Sequence, residues 1–297
     1  MATGSASRTI GILSPGDMGA AIGRMLADAG YEVATVLAGR SALTRTRAEE
    51  AGIRDTDTID DLVREADTLL SVLVPSEAVS IANEAAAAMA RTGAKPVFAD
   101  CNAIAPQTVR AIAATIGGAG ATFIDAGIIG APPKLGGNTR IHCSGADTSA
   151  LESLAEAGLN ILVVGPEVGQ ASGLKMIYAA STKGTTALWT ELLVAARALG
   201  LADALLVEFG GSRKQIADDL TGVIPSMPRR ARRWVGEMEE IAKTFGDLGM
   251  TPSIMQGAAE LFRFVGETSL ADQTSREPDP SLDAVIGTLA ERLHDTR

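Results

Sequence analysis

The chain has 297 residues, 46% of them hydrophobic, which is enough to bury a large core in one big domain or two ordinary ones. Its formal net charge of −10 at pH 7 argues against binding to nucleic acid or an anionic membrane, since both need clustered positive charge. The two cysteines and two histidines have no metal-ligand spacing, so we expect no metal site. No segment is apolar and long enough for a signal peptide or a membrane span, and we expect a cytoplasmic protein.

Short β-rich runs alternate with helical stretches from Arg8 to about Val164. Continuous apolar strands separated by helices predict a parallel sheet covered on both faces, the doubly wound α/β class. The runs are TIGILS, EVATVL, DTLLSVLVP, KPVFADC, ATFIDAGII, RIHCSG and NILVVG.

The strand pattern stops after Gly165, and Gln170 to Leu199 is predicted as one long helix. Helical segments continue from there to the C-terminus. We therefore expect a doubly wound domain over residues 1–167 and an all-helical substrate and dimerisation domain over 168–297, joined by the long interdomain helix.

A turn that resembles a phosphate-binding loop follows the first strand, with the sequence Ser14-Pro15-Gly16-Asp17-Met18-Gly19. In a dinucleotide-binding turn the second glycine lets the backbone approach the pyrophosphate, and the third lets the helix pack against the strand. Gly16 and Gly19 occupy those two places. Ser14 replaces the first glycine, where a small residue can also form the tight bend. The pattern predicts a dinucleotide site, the alternative being a fortuitous strand–turn–helix.

The end of the second strand indicates which nicotinamide cofactor is bound. NAD sites usually place an acidic residue there, which accepts a hydrogen bond from the ribose 2′-hydroxyl. Here no acid follows the strand before Glu49, whereas Arg40, Ser41 and Arg45 offer two cationic groups and a hydroxyl. We therefore expect NADP(H) in preference to NAD, unless these arginines are ordinary surface residues.

Five motifs occur in a characteristic order within about the first 185 residues: Asp17-Met18-Gly19, Leu73-Val74-Pro75, Asp100 to Pro106, Asp125 to Gly130, and Gly169 to Lys175. Their order and spacing resemble those of the β-hydroxyacid dehydrogenase superfamily, which includes 3-hydroxyisobutyrate and 6-phosphogluconate dehydrogenases. The resemblance implies a Rossmann domain, a helical domain that often forms a dimer, and hydride exchange between NAD(P) and a hydroxyacid. It also implies that Lys175 is the catalytic lysine and that Val74, Pro75 and Asn102 lie at the cofactor.

Two departures from the family pattern leave the substrate open. Members commonly have a serine at the position of Ile129 and an asparagine at that of Ala179. The sequence KMIYAASTKGTTAL instead resembles a less-studied branch of 6-phosphogluconate-dehydrogenase-like proteins. The candidate substrate contacts are Gly127, Ile129, Gly130, Lys175, Ala179 and Thr182.

Lys175 lies near the start of an otherwise apolar helix, where a lysine is costly unless it faces a cleft. Such a lysine can exchange the hydroxyl proton as hydride moves. Tyr178 and Thr182 fall near its helical face, and Lys183 either adds a charge near the substrate or points to solvent. Asn102, after the KPVFADC run, is placed either to bond substrate or cofactor amide or to serve only as a turn residue.

These observations predict an NADP-dependent oxidoreductase that acts as a homodimer on a small hydroxy or oxo compound, a β-hydroxyacid-like substrate. An imine reductase on the same scaffold is the first alternative, although such enzymes usually carry Asp or Tyr in place of Lys175. A nucleotide-binding protein without catalysis is the second. Oxidative decarboxylation is weakened because no Glu precedes Glu191 on the helix of Lys175.

Overall fold

A computed structural model describes residues 8–274 and 277–295, without the side chains of residues 217, 294 and 295. The strands are β1 (Thr9–Ile12), β2 (Glu32–Thr35), β3 (Arg54–Asp55), β4 (Thr68–Ser71), β5 (Val97–Asp100), β6 (Phe123–Ile129), β7 (Arg140–Ser144) and β8 (Asn160–Gly165). The helices of the first half are α1 (Asp17–Asp28), α2 (Ala42–Glu50), α3 (Ile59–Glu65), α4 (Ala78–Thr92), α5 (Pro106–Gly118), α6 (Ser149–Glu152) and α7 (Gln170–Ala179). Those of the second half are α8 (Thr185–Ala198), α9 (Ala202–Ser212), α10 (Lys214–Val223), α11 (Pro228–Asp247), α12 (Ser253–Gly266) and α13 (Leu282–Asp295).

The strands form one sheet in the order β3-β2-β1-β4-β5-β6-β7-β8. Residues of α1, α2 and α6 pack in one buried cluster with the sheet, and residues of α3, α4 and α5 pack in a second. Four alanines of α4 are fully buried at helical spacing, which lets this helix lie close to its neighbours. The predicted doubly wound α/β fold is therefore confirmed.

The sheet differs from the predicted all-parallel arrangement at one place, because β6 and β7 are antiparallel. Only residues 130–139 connect these strands, and they contain no helix. A parallel connection needs a crossover of about a dozen residues or more, so the chain turns back directly.

Sequence periodicity missed β3 and α3, and it overestimated the continuity of the long helix. The two-residue β3 is too short to show a pattern, and α3 is short and charged. The predicted helix Gln170 to Leu199 is interrupted by a π-helical segment, Ala180–Gly184. Hydroxyls of Ser181 and Thr185 donate to the carbonyls of Tyr178 and Ser181, bonds that commonly bend helices.

The chain divides into two compact units, Met1–Met176 and Ile177–Arg297, whereas the sequence placed the domain boundary between residues 167 and 168. The regular elements in the described residues of the second unit are all helices. Within it, α11 and α12 are joined by edge-to-face packing of Trp234 on Phe262, whose ring centroids are 5.1 Å apart.

Candidate active site

The two glycines of the turn between β1 and α1 have different surroundings. Gly16 precedes α1 as its N-cap, and a Cβ added there would meet no atom within 4 Å. At Gly19, by contrast, an added Cβ would overlap the Ser14 carbonyl oxygen, so only glycine fits. The first turn of α1 thus opens toward free space beside Gly16, and its N–H groups suit a phosphate. Asp17 is exposed and forms an ion pair with Arg47 at 2.5 Å.

The predicted residues of this turn have different environments. Pro15 is buried, while Ser14 and Met18 are half-buried and Met18 packs against the core of the sheet. The turn lies where β1 and β4 are neighbours. Successive strands are added on one side of β1 up to β3 and on its other side from β4 onward, so this is the point where the strand order reverses. In open α/β sheets, ligands bind outside the carboxyl ends of the strands at such a point.

A cavity of about 430 Å³ lies beyond the end of β2. Gly39 and Arg40 line it together with Asp57, Thr58 and Glu84, among other residues. Its volume is in the range of small-molecule sites. The sequence did not single out Asp57, Thr58 or Glu84, because the first two come from the loop before α3 and the third comes from α4.

Arg40, Ser41 and Arg45, the residues predicted to favour NADP(H) over NAD, have different surroundings. The half-buried Arg40 donates from Nη2 to the Leu13 carbonyl at 3.1 Å, at the end of β1. Ser41 is the N-cap of α2, and its hydroxyl accepts from the Thr44 N–H at 3.2 Å. Arg45 is exposed. Arg40 is therefore the member of this set that faces the cavity, while Ser41 has a capping role.

Asn102 is held by the protein itself. It is 2% exposed, its Oδ1 accepts from the Leu73 N–H at 2.5 Å, and its Nδ2 donates to Ser71 and Asp100. These bonds fasten the segment after β4 to the end of β5, which leaves Val74 half exposed and Pro75 at the start of a short 3₁₀ helix. The geometry favours the turn role of Asn102 over the predicted contact with substrate.

Lys175 lies against the carboxyl-terminal half of β6. Its ammonium donates to the Ile128 carbonyl at 2.6 Å. The backbones approach closely at Gly127, where an added Cβ would lie 2.9 Å from Lys175 Cβ and 3.0 Å from the Ala171 carbonyl oxygen. Gly127 thus allows the close packing of α7 on β6, and its predicted contact with substrate stays a prediction.

The two following candidates on this strand are also shaped by packing. Ile129 is 4% exposed, so its side chain belongs to the interior. Gly130 has φ of +131° and would place a Cβ 2.9 Å from Thr139 Cα, so the backbone requires glycine there. Neither position provides a polar side chain for a substrate.

The remaining candidates lie in the second unit. Tyr178 is 44% exposed and Ala179 is 2% exposed. The Thr182 hydroxyl donates to the Ala179 carbonyl at 3.2 Å. Lys183 pairs with Glu237 at 2.7 Å, with only 12% and 11% of their side chains exposed. Its ammonium also lies 5.6 Å from the centroid of the Trp234 ring. Lys183 therefore lies in a largely buried ion pair rather than in solvent, and its place near the substrate stays a prediction.

Two buried aspartates accept hydrogen bonds near these candidates, Asp100 from Asn102 and Asp125 from the start of α7. Asp100 accepts from the Asn102 N–H and Nδ2, and burial raises the pKa of Asp100 to about 7. Asp125 accepts hydrogen bonds from Ser144, Gly169 and Ser172. The sequence motifs contained both aspartates but gave no sign of these partners.

Family comparison agrees with this architecture. The NAD-binding domain of 6-phosphogluconate dehydrogenase matches residues 9–165, and a domain of unknown function, DUF1932, matches residues 196–265. The chain is 30% identical to MTH1747, a protein of unknown function whose structure is similar to 3-hydroxyacid dehydrogenases. That match covers 88% of this chain and 100% of the other, with a TM-score of 0.67.

Other similar proteins are more distant in sequence. An uncharacterised 28.5 kDa protein of Methanothermus fervidus is 28% identical, over 87% of this chain and 99% of its own. The 3-hydroxyisobutyrate dehydrogenase of Mycobacterium tuberculosis, solved with L-serine, is 22% identical, with a TM-score of 0.70 and coverage of 96% and 99%. A reductive aminase of Aspergillus terreus is 17% identical, with a TM-score of 0.56 and coverage of 97% and 100%.

The fold and the match to the NAD-binding family define a nicotinamide-cofactor-dependent oxidoreductase. The chain belongs to the β-hydroxyacid dehydrogenase superfamily, through the NAD-binding family of 6-phosphogluconate dehydrogenase. None of its described helices is both long and apolar enough to cross a membrane.

Proposed function

We propose that the chain transfers hydride between NADP(H) and a small hydroxy or oxo acid, with Lys175 as the proton donor and acceptor. The observation that carries the proposal is the placement of the Lys175 ammonium at the carboxyl end of β6, 2.6 Å from the Ile128 carbonyl oxygen. That end of a doubly wound sheet is where the nicotinamide of such cofactors is bound.

The residues present fit a dinucleotide. The open space at Gly16 leaves room for the pyrophosphate, and the cavity beside Gly39 and Arg40 suits the adenosine end. The Arg40 guanidinium would turn from the Leu13 carbonyl to the 2′-phosphate, which supports NADP(H) over NAD. Ser14 to Gly19, Val74 and Pro75 would border the bound cofactor.

The bound cofactor supplies or accepts the hydride. In the direction of reduction, Lys175 Nζ gives a proton to the substrate oxygen as hydride reaches the neighbouring carbon. In oxidation the same nitrogen takes the hydroxyl proton. The Ile128 carbonyl orients the ammonium by accepting one of its three N–H groups.

The substrate class follows from the family and from the two altered positions. Relatives include a 3-hydroxyisobutyrate dehydrogenase, which supports a small hydroxyacid. Ile129 and Ala179 are buried and apolar, so they cannot make the polar contacts that serine and asparagine provide in the family pattern. Any contact with a substrate carboxylate must therefore come from other residues. We therefore propose a hydroxyacid or ketoacid with a more apolar body.

A cofactor and substrate panel tests the proposal. NADPH and NADH are titrated by fluorescence, and turnover is followed at 340 nm with hydroxyacids, ketoacids and cyclic imines. We expect tighter NADPH binding and turnover confined to the hydroxyacid and ketoacid pairs. Turnover of imines alone would make the protein an imine reductase, and NADPH binding without any turnover would support a nucleotide-binding role.

A further inference from the structure

A row of buried polar side chains crosses the carboxyl end of the sheet. Ser71, Asp100, Asp125 and Ser144 are successive cross-strand neighbours on β4, β5, β6 and β7. Each of the four is 0% exposed. Two carboxylates on adjacent strands in a dry interior are costly unless their hydrogen bonds compensate for the lost hydration. We call these four residues the polar row.

The bonds of Asp125 lead to the start of helix α7. Its Oδ2 accepts from the backbone N–H of Gly169 at 2.8 Å and of Ser172 at 3.1 Å, and its Oδ1 accepts from the Ser172 hydroxyl at 2.5 Å. Ser144 donates to Asp125 at 2.9 Å and accepts from the Ala171 N–H at 3.0 Å. The first N–H groups of a helix have no partners within it, and a carboxylate there is favoured by the helix dipole.

Asp100 provides a contrast within the same row. It is equally buried and lies one strand away, but its hydrogen bonds go to Asn102 in the loop after β5. Asp100 therefore attaches the loop after β5 to the sheet, whereas Asp125 attaches the start of α7. Asp125 is the one that holds the helix of Lys175.

Helix α7 and strand β6 are thus joined at two levels. Asp125 bonds Ser172, and three residues further along each element the Ile128 carbonyl accepts from Lys175. Gly127, between these levels, allows the close approach. A catalytic group displaced by about 1 Å can lose about 10²-fold in rate, so the attachment bears directly on the chemistry.

We propose that Asp125 is a positioning residue that, through Ser172 and Ser144, sets the place of the Lys175 ammonium at the edge of the sheet. The proposal rests on the proposed function for the role of Lys175 in proton transfer. The placement itself can be measured without a substrate, because the chain has only six lysines, at positions 95, 134, 175, 183, 214 and 243.

Trace acetylation with acetic anhydride on the full-length protein measures this placement. The rate at each lysine is obtained by peptide mass spectrometry, with the exposed Lys95 and Lys134 as internal references. In Ser172→Ala and Asp125→Asn we expect the relative rate at Lys175 to rise about three- to tenfold, the change expected when one hydrogen bond is lost. NADPH affinity should stay unchanged while kcat falls with the identified substrate.

The control is Thr190→Val, which removes a hydroxyl of equal burial that donates to the Thr186 carbonyl at 2.8 Å. Its loss of thermal stability should match that of Ser172→Ala, with no change at Lys175. Ser172→Ala keeps the test decisive if Asp125→Asn fails to fold. An unchanged Lys175 rate in a folded Ser172→Ala protein would overturn the proposal. Undiminished turnover in Lys175→Ala would instead contradict the proposed function and leave the positioning result intact.

Discussion

Arg40 is the residue on which the proposed preference for NADP(H) rests. Replacing it with Ala should weaken NADPH binding by about 1.5–3 kcal/mol, the loss expected for a hydrogen bond to a charged group. NADH has no 2′-phosphate and should lose much less. Fluorescence titration of both cofactors measures the difference, and Arg64→Ala, which removes an exposed arginine paired with Asp61, serves as the control. Equal losses for NADPH and NADH would contradict the assignment.

At the scale of single residues, the sequence predicted where a residue lies in the fold better than which residues it bonds. Gly19 could be recognised because a glycine at that spacing after a strand has a specific steric reason, and the structure has the same close approach. The attachments of Asp125 could not be predicted, since its partners are 19, 44 and 47 residues away. The ion pair of Lys183 could not be predicted for the same reason, because Glu237 lies on a distant helix.

The approach of α7 to β6 can be tested at the scale of these two elements. Gly127→Ala places a Cβ 2.9 Å from Lys175 Cβ, so the helix must move or the core must strain. We expect a loss of about 1–3 kcal/mol in the free energy of unfolding, measured in urea, together with reduced turnover. Gly117→Ala is the matched control, because its added Cβ meets nothing within 4 Å. Equal stability of the two variants would show that the close approach is unimportant.

The polar row predicts a pH dependence of stability. The pKa of Asp100 is raised to about 7 by burial, from 3.8, so the folded state binds more protons than the unfolded state between these values. The contribution of Asp100 to the free energy of unfolding should therefore fall as pH rises from about 4 to about 7 and level off above. Urea unfolding of wild type and Asp100→Asn across this range isolates the contribution. Parallel curves for the two proteins would contradict it.

At the scale of elements, strands and helices with clear periodicity were predicted, and short or irregular ones were not. The alternation of apolar strands and helices was sufficient for the doubly wound fold, because the central strands are buried by helices on both faces. The direction of β7 depended on the lack of a helix in residues 130–139, which the strand pattern does not encode. The π-helical segment after α7 depends on side-chain hydroxyls competing for backbone carbonyls.

At the scale of the whole molecule, we expect a homodimer that buries the exposed apolar residues of α8. Leu188 and Leu192 are 51% and 41% exposed in the single chain. Apolar residues grouped on one helix commonly mark an interface. Sedimentation equilibrium should give a dimer for wild type and a monomer for the double variant Leu188→Glu/Leu192→Glu. Leu43→Glu, at a leucine 58% exposed on α2, should remain dimeric. A wild-type monomer at every concentration would remove this expectation.

The most direct test of the central claim compares wild type, Lys175→Ala and Lys175→Arg with the hydroxyacid or ketoacid identified by the panel. Turnover and NADPH affinity are measured on the same preparations. Loss of a general acid–base group predicts that Lys175→Ala lowers kcat by about 10²–10⁴-fold while NADPH affinity stays nearly intact. Lys175→Arg should not restore turnover, because a guanidinium keeps its proton at any working pH. Turnover near the wild-type value in Lys175→Ala would contradict the account.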